Sequence, residues 1–221
     1  MQSKVVASLF FVASILVLPI AAGALGLDVQ ARGGAGIAGG TTSNTAITGA
    51  LRLAASGGAV LDFYAFQAGP VAVGLSAGAE YALLNEHSTI TQSGVTTTVD
   101  DQYNYLYFPV ALVGNYAVNK GISVTLRAGG FIGDFLSGNQ TTSFSPQVFP
   151  TSTSTVTTSD IKQIEYGIHV SGGPNFALGP RLTLSPSVEL NWGLSNINPS
   201  GSETDTLWSL VGNVGLEYKL F

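Results

Sequence analysis

Between Trp208 and Phe221 the chain alternates so regularly that few folds can accept it. Trp208, Leu210, Val214, Leu216, Tyr218 and Leu220 fall on one side of an extended chain, broken only by Gly212. Ser209, Asn213, Glu217 and Lys219 fall on the other. A period of two with one greasy and one polar face describes a strand lying between two different media. The strand runs to the last residue of the sequence, which suits a closed sheet whose last strand must pair with its first. The expectation is an all-β fold, an eight-stranded antiparallel up-and-down transmembrane β-barrel.

Composition points the same way. The chain is 45% hydrophobic and only 10% charged, against about 25% charged in ordinary soluble domains. Yet beyond residue 20 no segment approaches the roughly 18 continuous apolar residues of a membrane helix. High apolarity without a spanning helix is what a transmembrane barrel produces, because its lipid-facing residues occupy alternate positions. At the N-terminus, Lys4 followed by the apolar run Val5–Ile20 and the A-x-A site Ala22-Gly23-Ala24 predict a cleaved export signal over 1–24. The barrel would then occupy 25–221, with seven basic residues against 13 acidic ones. That balance offers nothing to nucleic acid. There is no cysteine, hence no disulfide or thiolate site.

Further alternating runs predict strands from Leu27, Ala59, Val71, Tyr103, Ile122, Ile161 and Arg181. Short turns at Gly69-Pro70, Lys120-Gly121 and Gly179-Pro180 alternate with long polar segments at 39–56, 85–102, 137–160 and 195–205. Short turns on one side and long loops on the other are how bacterial outer-membrane barrels connect their strands. The aromatics Tyr103, Tyr105, Tyr107, Trp192 and Trp208 sit near loop ends, with Tyr116, Tyr218 and Phe221 near turn ends. They are expected to form the two interfacial girdles.

Three segments also resemble a known family. Tyr105-Leu106-Tyr107-Phe108-Pro109-Val110-Ala111-Leu112, Ala128-Gly129-Gly130-Phe131-Ile132-Gly133 and Gly193-Leu194-Ser195-Asn196-Ile197-Asn198-Pro199 are similar, in order, to strand motifs of the outer-membrane protein β-barrel domain family. The resemblance runs from about Tyr103 to the C-terminus and implies an eight-stranded, porin-like cell-surface barrel. Such barrels usually end aromatic-x-Phe, whereas Tyr218-Lys219-Leu220-Phe221 places its two aromatics on opposite faces. The family implies that the final strand is read by the barrel-assembly machinery.

The faces opposite the apolar ones would point into the lumen. They collect Asp28, Arg32, Asp62, Glu80, Arg127, Glu165, Glu189, Glu217 and Lys219. Eight strands enclose just enough room for side chains, so these charges must pair. Arg127 with Glu189 is the expected central pair, with Arg32 and Asp62 close behind. His169 shares that face with Glu165 and Ser171, the residue types of a serine hydrolase. Backbone spacings of about 7 and 13 Å along one strand argue against a relay. His87 stands alone in a polar segment, and two histidines without cysteine make a poor transition-metal site. Gly33-Gly34-Ala35-Gly36 lacks the strand–turn–helix setting of a phosphate loop.

The functional expectation is a non-catalytic barrel without cofactor, set in outer-membrane lipid, with a packed polar lumen. It would serve as an envelope scaffold or bind a surface ligand through 85–102 and 137–160. The alternatives are an outer-membrane enzyme acting on lipid, a narrow solute or ion pathway, and a soluble ligand-binding barrel.

Overall fold

The computed structural model describes residues 26–43, 48–145, 150–157, 160–199 and 204–221; the expected export signal lies outside them. Ten strands follow one another: β1 (Gly26–Thr42), β2 (Thr48–Ala50), β3 (Arg52–Ala68), β4 (Val71–Gln92), β5 (Val95–Ala117), β6 (Ile122–Ser145), β7 (Ser152–Val156), β8 (Ile164–Ala177), β9 (Leu182–Gly193) and β10 (Asp205–Lys219). Eight of them form a closed antiparallel ring, β1-β3-β4-β5-β6-β8-β9-β10, with β10 returning to β1. At the seam Asp28 faces Lys219 and Thr42 faces Asp205, so the closing ladder runs the full height of the wall. Closure leaves the membrane region without an edge of unpaired amides, which hydrocarbon could not satisfy.

The outer surface is apolar. On β4 the outward set runs from Val71 through Val73 and Leu75 to Tyr81 and Leu83. At about 3.3 Å per residue and a tilt of about 40°, that run rises roughly 30 Å, close to the lipid-facing height of membrane barrels. Leu112, Leu126, Ile168 and Leu216 are among the exposed residues that continue the belt. A continuous apolar belt around a closed barrel is a surface suited to lipid.

Two polar segments are strands rather than loops. Segment 85–102 extends β4 and β5 upward as a ladder from Asn85↔Gln102 to Gln92↔Val95, closed by a two-residue turn at Ser93-Gly94. Both turn residues have positive φ, 51° and 79°, the signature of a type I′ hairpin whose twist matches its strands. Within 137–160, β6 likewise continues to Ser145, and β7 pairs with it through Gly138↔Val156 to Thr142↔Ser152. The segment 39–56 also divides, its ends belonging to β1 and β3 and its middle contributing β2, which pairs β4. The physical reason is β-branching: Thr and Val run through 89–99 and favour a pleated chain despite their polarity.

The result is lopsided. β4, β5 and β6 hold 22, 23 and 24 residues, whereas β8 and β9 hold 14 and 12. Spanning requires only about 9–11 residues. One side of the barrel therefore stands well above the belt as a wall, and the opposite side stops near it.

Candidate functional site

The lower lumen, near the short turns, is held by buried ions. The Arg127 guanidinium grips Asp62 with two bonds, Nε–Oδ1 at 3.1 Å and Nη2–Oδ2 at 2.5 Å. Arg32 binds two carboxylates, Glu80 (Nε–Oε1 2.6 Å) and Glu189 (Nη2–Oε2 2.5 Å). All five side chains are almost entirely out of solvent. The expected pairing of Arg127 with Glu189 is thus exchanged. Those two residues lie on one hydrogen-bonded row, two strands apart, but rows in a sheared barrel climb around the wall. Arg127 instead reaches Asp62 on β3, which is not a neighbour of β6. Lys219 is exposed at the turn end rather than lumenal, leaving two arginines against six buried acids.

From Glu189 a directed chain of bonds continues. Glu189 as a carboxylate can only accept, so the Asn191 Nδ2 that lies 2.7 Å from it donates. The Asn191 Oδ1 then accepts a hydrogen bond from His169 Nδ1–H at 2.8 Å. That leaves Nε2 as the acceptor for the Ser171 hydroxyl at 3.2 Å. Contrary to the expectation from backbone spacing, His169 and Ser171 are therefore in contact, because side chains leaning along the strand close the gap. Glu165 takes no part; it lies higher and accepts from Tyr107 Oη at 3.0 Å. His169 and Ser171 are each only 1% exposed, so the arrangement has a serine relay's bonding at a buried position.

Above this layer the lumen changes character. Tyr103, Tyr105 and Tyr107 point inward, not to the lipid girdle, and pack with Phe131 and Phe135. Tyr105 and Tyr107 stack at 5.6 Å, and Tyr107 lies 4.7 Å from Phe131. A Cβ at Gly133 would strike the Tyr107 ring, so glycine there opens the slot that the ring fills. The polar plug thus occupies only the lower half. Of the remaining aromatics, Trp192 and Trp208 stack at 6.4 Å toward the loop end, with Trp192 exposed. Tyr116, Tyr218 and Phe221 lie exposed toward the turn end.

The Gly193–Pro199 segment folds over the aromatic layer. Ser195 Oγ accepts from the Tyr166 amide at 3.0 Å, and Asn196 Oδ1 accepts from the amides of Asn198 and Asp205 at 3.0 and 2.9 Å. These bonds hold the turn that drops Ile197 into the aromatic layer beside Ile161. Above them is a polar cavity of about 220 Å³ whose lining includes Glu86, Asp101, Tyr103, Asp160 and Asp205. Burial, then the carboxylates of Asp101 and Asp205, pushes the Glu86 carboxyl up to about 7. Among the described residues no group of three or more His, Cys, Asp or Glu side chains is placed to hold a metal ion.

The outer face of the wall is different again. Neighbouring strands align Asn85, Gln102, Asn139 and Thr155 in one row, and His87, Asp100, Thr141 and Thr153 in the next. His87 is not isolated: its Nδ1 lies 2.7 Å from Asp100 Oδ1, which Arg52 Nη2 also meets at 2.9 Å. The hydrogen bond from His87 holds the Asp100 carboxyl below its usual range.

No family model and no curated protein matches the sequence. Among solved structures, the outer membrane protein OprG from Pseudomonas aeruginosa is 10% identical with a TM-score of 0.50, over 88% of this chain and 97% of that one. Neisserial surface protein A is 12% identical (TM-score 0.43; 87% and 96% covered), and the outer membrane protease OmpT from Escherichia coli is 9% identical (0.44; 87% and 97%). With its closed ring and apolar belt, the chain is by fold a small bacterial outer-membrane β-barrel.

Proposed function

We propose that this protein is a non-catalytic surface-binding barrel of the outer membrane, in which a packed, ion-paired lumen carries a rigid outer wall that meets ligands. The observation behind this reading is the one-sided growth of β4, β5 and β6 past the belt into a hydroxyl- and amide-covered sheet. Spanning lipid does not need those residues, and rigid scaffolds commonly present recognition surfaces in this way. Outer-membrane lipid is the partner of the belt, and β10 the segment offered to the barrel-assembly machinery.

The test compares cells displaying the parent with cells displaying a variant whose 86–101 tip is replaced by an Asn-Gly turn. Both are applied to one panel of immobilised extracellular proteins and polysaccharides. The parent should bind at least one probe and the shortened form none. Equal binding by both, or by neither, contradicts the reading.

One observation favours a second reading. The Ser171–His169–Asn191 bonding has the polarity that a serine nucleophile requires. A fluorophosphonate that labelled Ser171 in the folded barrel, and failed to label a His169→Ala variant, would make the protein a hydrolase. The burial of Ser171 is grounds to expect no labelling.

A further inference from the structure

We infer that the outer face of the wall carries a sugar-binding groove, and that its occupant is the saccharide headgroup of a glycolipid in the surrounding leaflet. This rests on the wall being a binding surface and adds the chemical class it takes. A cavity of about 420 Å³ opens there, its lining including Arg52, Leu53, Asn85, Gln102, Asn139 and Thr141. That volume falls within the range of small-ligand sites.

The chemistry of the lining selects among ligands. The guanidinium of Arg52 is already matched to Asp100 at 2.9 Å, so the groove offers little net charge to an ion. Glu86 and Asp101 also border the groove, but they alternate with Asn85 and Gln102 along their strands and line the mouth cavity on the other side of the sheet. The other polar groups of the lining are amides and a hydroxyl, each able to donate or accept. Asn85 Nδ2 donates to the Leu53 carbonyl at 2.6 Å, and its Oδ1 accepts from Gln102 Nε2 at 3.3 Å. Those bonds fix the Gln102 amide with its carbonyl oxygen left over. The side-chain amide of Asn139 has no hydrogen-bond partner among the described residues. A pyranose matches this pattern, because every hydroxyl is both donor and acceptor. Leu53, 73% exposed at the groove edge, offers an apolar contact for the C–H face of the ring.

Position selects the source. Asn85 follows Leu83 on the same outward face of β4, and Asn104 follows Leu106 on β5. Tyr81, on the belt's upper edge, donates its hydroxyl to Asn104 at 2.6 Å. The groove therefore begins about 7 Å along the strand above the last lipid-facing side chain. Headgroup sugars of neighbouring lipids occupy that level, so a tethered sugar reaches the groove at high effective concentration.

The test titrates the full-length folded protein in detergent with three probes, a lipopolysaccharide carrying core sugars, its released core oligosaccharide, and phosphatidylglycerol. Retained probe is counted by native mass spectrometry. Lipopolysaccharide should be retained in preference to both others. A Gln102→Leu/Asn139→Leu variant that still shifts on heating in a gel should lose about tenfold in affinity, whereas Arg52→Gln should change it by less than about threefold. Equal retention of phosphatidylglycerol, or an unchanged double variant, overturns the groove. Loss confined to Arg52→Gln would show an anionic ligand and overturn the sugar assignment. Equal affinity for the free oligosaccharide would overturn the lipid source. Failure of the cell-binding test leaves these arms readable, since they need no extracellular partner.

Discussion

The Arg127–Asp62 pair in the lower lumen and the Arg52–Asp100 pair on the outer wall join the same chemical groups on the same kind of strand. The first is 3% and 2% exposed, the second 44% and 46%. That difference decides what each can do. In the lumen neither ion has access to water, so each is tolerable only because the other is there, and the pair locks strands on separate parts of the wall. On the wall both ions are already solvated, and the pair contributes little. Burial makes one pair structural, and exposure leaves the other adaptable.

The two pairs differ most at their arginines. Removing the Arg127 side chain leaves the Asp62 carboxyl buried without its partner, so Arg127→Ala should lower stability by about 3–5 kcal/mol, against about 0–1 kcal/mol for Arg52→Ala. Urea unfolding of both variants in lipid vesicles measures the gap. Equal midpoints would mean that the lumen is wet. Next in size is Gly133→Val, which drives a branched side chain into the Tyr107 ring. Overpacking of this kind costs about 1–3 kcal/mol and should appear in the same assay, with tyrosine near-ultraviolet dichroism reporting the displaced ring.

The wall responds to pH where the mouth meets it. The Glu86 carboxyl titrates at about 7 in the folded protein and ordinarily at 4.5. Over that interval the folded state holds the extra proton, so the contribution of Glu86 is complete below pH 4.5 and is lost as pH rises through 7. Amide exchange around Glu86 and Asp101, corrected for its intrinsic pH dependence, should therefore show greater protection at pH 5 than at pH 8. Glu86→Gln should flatten that difference, and an unchanged pH dependence in the variant would assign it to another group. The smallest effect belongs to the tip. Ser93 carries a positive φ that glycine or asparagine adopts more easily. Ser93→Gly should slow exchange at the Gln92–Val95 ladder by the equivalent of about 0.5–1 kcal/mol. Faster exchange would show that the turn tolerates serine without strain.

The ring of eight was legible because alternation and turn parity are local properties. The final strand pairs along its whole length with β1, and the three short turns join the strands that their Gly and Pro residues bracket. The wall was hidden by composition, since Thr and Ser read as loop when polarity is weighed ahead of β-branching. The signal was nevertheless present, in Thr89–Thr91 and Val95–Val99 around Ser93-Gly94. For Tyr103, Tyr105 and Tyr107 the sequence was ambiguous, because the opposite face carries Leu106, Phe108 and Val110 and either could meet lipid. A register shift at Asn104/Tyr105 complicates that region further. The exchange of arginine partners could not be anticipated at all. It depends on barrel shear, a property of closure that no single strand encodes.

Stability resides in the membrane-embedded barrel, and the wall is carried by it. The most direct test is the urea-unfolding midpoint of the wall-shortened protein, with 86–101 replaced by an Asn-Gly turn, measured in lipid vesicles beside the parent and Arg127→Ala. A midpoint close to the parent's, with the heat-dependent gel shift retained, is the expected result. A loss as large as that of Arg127→Ala would contradict it, making the wall part of what holds the barrel closed.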